Sequence, residues 1–229
     1  MEGILLNASL ARSWIYKLLA MSFMPPTPSR IRWLHTVFLT GMASEGDKLP
    51  EHGEFRRNLP SLLLELRLAL EGSGVRELLK AHRKLSSPRI ATVLRKTAEE
   101  DAQSSLPLWS APDVGDFYRS CGFAAIPGPE GTRDLAVALE FVYALAVREA
   151  RSSHEERLTE TGFNLFSQTQ FLEKYVCPWL PILVRGLRSQ KDLQQYASLA
   201  CLTRSFAQSD LEYLKSRFAF LEVIRVAGH

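Results

Sequence analysis

Thirteen consecutive residues, Leu135 to Val147 (LAVALEFVYALAV), carry a single charge, Glu140, and no other stretch of the chain restricts the fold so strongly. Leu135, Leu139, Val142 and Ala146 recur at helical spacing, and Val137, Phe141 and Ala144 fill much of the other side. A helix apolar nearly all round belongs in the middle of a bundle. It is too short to span a bilayer, which needs roughly 20 apolar residues, and no other stretch approaches that length. Thr132 is placed to cap this helix after the Pro/Gly-rich turn from Ile126 to Gly131. Upstream, Asp113 follows Pro112 as the expected N-cap of a short helix, with Asp116 at the capping-box position. That helix carries Phe117 and Tyr118 and should end at Gly122.

The same period recurs elsewhere. From Asn7, an expected cap, Leu10, Trp14, Leu18 and Met21 predict the apolar face of a first helix, which Pro25 and Pro26 stop. Thr27-Pro28 opens a second helix with Ile31, Leu34, Val37 and Phe38 on one face, followed by a predicted loop from Gly41 to Gly53. Leu59 to Leu70, Val75 to Leu85 and a helix opened by Ser87-Pro88 continue the pattern, broken at Gly72-Ser73-Gly74. Ser153 with Glu156 predicts a capping box for a helix through Phe163, Phe166, Phe171 and Tyr175. Ser189 with Asp192, and Ser209 with Glu212, predict caps for two final helices. Apolar residues never alternate at period two, so the fold class is all-α. The 229 residues suffice for one helical domain with a sizeable core. Periodicity lapses around 99–112, which reads as a hinge between an N-terminal half, about 1–98, and a C-terminal half, about 113–229.

Reacting groups are sparse. The five histidines are scattered with no i, i+4 pair, so no metal ligand set is visible, and neither a nucleophile elbow, a P-loop nor a dinucleotide fingerprint occurs. Cys121, Cys177 and Cys201 are widely spaced and odd in number, which argues against a disulfide framework and fits a reducing compartment. The first residues, MEGILLNASLARSW, lack the features of a secretory signal. These observations predict a cytoplasmic protein with no catalytic residues, no metal and no cofactor. A net charge of +3 without a dense basic stretch gives no support to nucleic acid as a partner.

Charge is nevertheless uneven. Eight acids and two bases lie from Glu99 to Glu140, a local net of −6 in a chain of +3. An acidic region with aromatic residues suits a cationic, partly apolar peptide, the composition of a twin-arginine signal. The candidate peptide-binding residues on this ground are Trp109, Asp113, Asp116, Phe117, Tyr118, Asp134 and Glu140. Each has a plainer account. Asp113 and Asp116 also suit helix capping, and Asp134 the first turn of a helix, where the dipole favours an acid. Phe117 and Tyr118 also suit a core. Glu140, flanked by Leu139, Phe141 and Val142, must either pair internally or face a cleft.

The string D-V-x-x-F-Y-R-x-x-G-F from Asp113 to Phe123, followed by D-L-A-V-A-L-E-F from Asp134 to Phe141, resembles the signature region of the TorD/DmsD/NarJ family of molybdoenzyme maturation chaperones. The resemblance extends to R-S-x-I-Y-K-L-L-A-x-x-F-x-P-P (Arg12 to Pro26), Q-F-L-x-x-Y-x-x-P-W-L-P (Gln170 to Pro181) and Y-A-x-L-A-x-L-T-x-x-F-x-x-x-D (Tyr196 to Asp210). It implies a helical bundle of two parts joined by a hinge, monomeric or dimeric. The implied partner is the apo catalytic subunit of a molybdopterin-dependent oxidoreductase, of the DMSO reductase type, with its signal peptide. Carried over by position, the implied contacts are Asp113, Phe117, Tyr118, Leu135, Glu140 and Phe141. A helical protein–protein adaptor and a nucleotide-binding helical protein, neither with a molybdoenzyme client, are the alternative readings.

Overall fold

The computed structural model describes residues 2–49, 54–71, 73–100, 113–124 and 135–227. All regular structure among them is helical, and no strand occurs there. In chain order the helices are α1 (Glu2–Phe23), α2 (Pro28–Trp33), α3 (Leu39–Gly46), α4 (Glu54–Leu70), α5 (Val75–Leu85) and α6 (Pro88–Glu99). After them come α7 (Val114–Ser120), α8 (Leu135–His154), α9 (Leu158–Phe171), α10 (Leu180–Arg188) and α11 (Gln194–Ala227). Wider π turns at Leu34–Phe38 and Leu172–Val176 join α2 to α3 and extend α9.

The apolar run from Leu135 is the inner helix, as its sequence requires. Leu139, Val142, Leu145 and Ala146 of α8 have no exposed surface, and the helix is held between α1 and α9. The long α11 packs against α4, α9 and α10, and α6 lies on α10. One hydrophobic cluster runs through the fold from Ala11 of α1 to Leu214 of α11.

The proline-marked starts form as expected: Thr27 Oγ1 accepts from Arg30 N at 3.2 Å and Ser87 Oγ from Ile90 N at 3.4 Å. Gly122 ends α7 with φ +76°, in a left-handed conformation that allows Phe123 N to donate back to Tyr118 O at 3.0 Å.

Several local expectations are corrected. Asn7 starts no helix, since α1 begins at Glu2; Ser189 caps none, its hydroxyl instead donating to Gly186 O at 2.8 Å; and Val37 faces out. On α1 the buried face is Ala11, Ile15, Tyr16, Leu18 and Leu19, whereas Leu10 and Trp14 face out. The segment from Gly41 is helix rather than loop up to Gly46, because it packs closely on its neighbours. A Cβ at Gly41 would lie 3.3 Å from Leu18, and one at Gly46 would overlap Leu59 at 2.1 Å. Ser153 caps nothing: α8 continues through it to His154, and a left-handed Glu156 (φ 55°) closes the helix as Arg157 N donates to Ser152 O at 2.8 Å. Ser209 and Glu212 lie inside a single 34-residue helix, not at a boundary between two. Leu202, Phe206 and Leu214 keep one buried stripe running across that point, so nothing interrupts the helix there.

Candidate functional site

The signature stretch builds an aromatic cluster. Tyr118 of α7 lies 4.6 Å from Phe141 of α8 and 5.6 Å from Phe171 of α9, ring centre to ring centre. Phe117 stands 5.5 Å from Phe171 and 5.7 Å from Tyr175, and Phe123 stands 5.0 Å from Phe141. Such tilted and edge-on pairs favour the ring quadrupoles beyond simple burial. The π turn contributes directly: Cys177 N donates to Leu172 O at 2.8 Å, and the wider winding keeps Phe171 and Tyr175 on one side. Tyr118, Phe141 and Leu135 are buried and Phe117 is half-buried, so these four belong to the core and its edge.

Each described acid of the stretch pairs with a base. Asp113 occupies the first position before α7, but its carboxylate makes no capping bond and instead accepts from Lys174 of the second π turn. The hydrogen bond from Lys174 holds the Asp113 carboxyl below its ordinary range. Asp116 pairs with Arg119 one turn along α7, fully at the surface, so the expected capping box does not form. Glu140 pairs with Lys17 of α1 at 2.6 Å, both side chains being nearly three-tenths exposed, and the Lys17 ammonium lies 5.1 Å from the Tyr143 ring centre. The question posed by Glu140 in its apolar surroundings thus has an internal answer, a lysine of the first helix. Trp109 and Asp134 lie outside the described residues.

A second constellation went unrecognised in the sequence. Arg12 is 1% exposed in the middle of α1 and bonds Glu149 of α8, Gln168 of α9 and Asp210 of α11. Glu149 has no exposed surface, and also accepts from Ser9 at 2.7 Å, Gln168 at 3.1 Å and Arg217. Tyr16 donates to Asp210 at 2.8 Å. Burial opposes the charge on Arg12, yet Asp210 and Glu149 outweigh it and hold the guanidinium protonated far above its usual range. Burial likewise opposes ionisation of Glu149, and Arg12 with Arg217 outweigh it, so its carboxyl falls below the ordinary range. Two arginines and two carboxylates therefore neutralise one another at the meeting point of four helices.

The sequence signals were present but weak. Arg12 is the one base on the inner face of an apolar helix, and Glu149 lies nine residues beyond Glu140 on the same helix. A hollow of about 380 Å³ between α4 and α11 reaches this network at Arg12, Asp210 and Tyr213, beside Phe55 and Phe206. It adjoins a more polar hollow of about 790 Å³, with Glu54, Ser209 and Glu212 common to both. Among the described residues no group of three histidine, cysteine or acidic side chains is arranged to hold a metal ion. No described helix is long and apolar enough to cross a membrane.

No protein-family model, curated protein or solved structure matches this chain. What brings function into view is therefore the spatial arrangement of its own residues.

Proposed function

We propose that this chain is a cytoplasmic, non-catalytic chaperone for a molybdopterin-dependent oxidoreductase. It binds the signal peptide and apo form of the catalytic subunit, assists cofactor insertion, and holds back twin-arginine export until the subunit is folded. One observation carries the proposal: strings that resemble the chaperone family are far apart in the chain yet meet in space. Arg12 and Tyr16 of the first string bond Asp210, the end of the last. Phe117, Tyr118 and Phe141 of the signature region stack with Phe171 and Tyr175 of the fourth. Outside the buried aromatic cluster, the partly exposed carboxylates of Asp113, Asp116 and Glu140 offer countercharge to the basic part of a signal peptide.

Calorimetric titration with a synthetic twin-arginine signal peptide from the molybdoenzyme encoded nearest this protein tests the proposal. Micromolar or tighter binding is expected, weakened in Asp113→Ala or Glu140→Gln. Absence of binding to that peptide, with the apo subunit also failing to co-purify, would overturn it.

A further inference from the structure

The surroundings of Asp113 form a cation seat. Its carboxylate lies beside Tyr175, whose ring is fixed edge-on against Phe117 (5.7 Å) and packed on Phe171 (5.2 Å). A carboxylate next to an aromatic face is the combination that attracts an organic cation, through ion pairing and through the ring quadrupole. The protein fills that seat itself: the Lys174 ammonium bonds Asp113 and lies 5.0 Å from the Tyr175 ring centre. Lys174 comes from a different element, 61 residues away in sequence.

We propose that Lys174 is a built-in competitor for this seat, and that an arginine of a basic peptide binds Asp113 by displacing it. The inference rests on the peptide-binding function proposed above and names the residue that sets the affinity. Exchange is feasible because the pair is open to water, with Asp113 44% and Lys174 56% exposed. Pairs of that kind are held only weakly. Arginine is the better occupant: its planar guanidinium engages both carboxylate oxygens and stacks on an aromatic face, whereas an ammonium acts as a compact point charge. A peptide lysine would replace Lys174 with its own kind and gain little. Displacement costs the same for either peptide residue, so removing Lys174 should strengthen arginine and lysine peptides by an equal factor.

The test is a double-mutant cycle with Lys174→Gln and Asp113→Asn, titrated with a synthetic peptide bearing two arginines before an apolar run, and with its two-lysine counterpart. Lys174→Gln should tighten both peptides about two- to fivefold, the range set by exposed ion pairs. In the Asp113→Asn background the same change should have no effect, since the seat has lost its carboxylate. Equal tightening in both backgrounds would reduce Lys174 to a diffuse repulsive charge and overturn the exchange. So would weaker binding by Lys174→Gln. A readout without peptide is the Asp113 carboxyl followed by carbon NMR, which should titrate higher in Lys174→Gln than in the parent. An unchanged titration overturns the occupied seat whatever the peptides do. Failure of every variant to bind either peptide overturns the proposed function together with its ligand, whereas a failed cycle with binding intact overturns only the exchange.

Discussion

Replacing Glu149 with glutamine removes one negative charge from a fully buried position. In the folded protein this carboxylate accepts from Arg12, Arg217, Gln168 and Ser9 and has no exposed surface. The amide in its place keeps the volume but offers one acceptor oxygen where two served, and it turns donor hydrogens towards one of the two guanidinium groups. Arg12 would retain Asp210, while Arg217, 12% exposed, would keep only the Ser9 hydroxyl and the face of Tyr213. Breaking a buried pair on one side costs about 3–5 kcal/mol. Against a typical domain stability of about 5–15 kcal/mol, that is a large fraction of the whole. Urea unfolding followed by far-ultraviolet circular dichroism should show a midpoint lowered accordingly with an unchanged slope. The double variant Arg12→Met/Glu149→Leu should cost less than the sum of its single changes, because each single change leaves the buried network with a net charge and the double change does not. A loss below about 1 kcal/mol for Glu149→Gln would refute the description of Glu149 as a buried carboxylate held by two arginines.

Further outcomes follow from the same structure. Because the folded Glu149 carboxyl is depressed, its stabilising contribution is complete above the ordinary glutamate range and is lost as pH falls through the folded value; acid unfolding monitored from pH 6 downwards should therefore be less steep in Glu149→Gln. Burial, with Asp210 adding to it, pushes the Cys177 thiol up to about 12. At pH 8 roughly one such group in ten thousand is thiolate, so Cys177 should label with a disulfide reagent only slowly until the protein unfolds. Gly186→Ala would place a Cβ 2.5 Å from Leu94 Cδ2, in the contact between α10 and α6, and should lower stability by about 1–3 kcal/mol in chemical denaturation. Gly122→Ala forces a side chain onto a left-handed backbone and should cost about 1–2 kcal/mol by the same assay.

The helical class and the position of the inner helix were legible because a run with one charge in thirteen residues leaves few alternatives. Cap-plus-proline starts at Thr27 and Ser87 were legible for a similar reason, as both signals act locally. Errors arose where a local signal met a tertiary demand. Glycines at 41 and 46 looked like loop punctuation, yet they serve close approach to Leu18 and Leu59. Ser209 and Glu212 have capping-box spacing, yet the buried stripe through Phe206 and Leu214 continues the helix past them. At the candidate site the aromatic members were readable from their string, whereas their partners Phe171 and Tyr175 come from another helix. Spacing could single out Glu140 as the acid needing explanation. It could not show that Lys17 lies opposite, nor that Glu149 is the more deeply buried of the two.

The Arg12–Asp210 bond spans 198 residues. During synthesis the first helix therefore emerges with a guanidinium destined for the interior and no acid to receive it. Its partners follow in stages, Glu149 and Gln168 first and Asp210 after them. A contact of such separation has a high loop-closure cost and slows folding relative to a bundle of neighbouring helices. The native arrangement around Arg12 is thus reached only once the ribosome has released the chain as far as Asp210. Termination upstream of Asp210 would leave Arg12 with Glu149 and Gln168 but without the carboxylate that its Nε bonds.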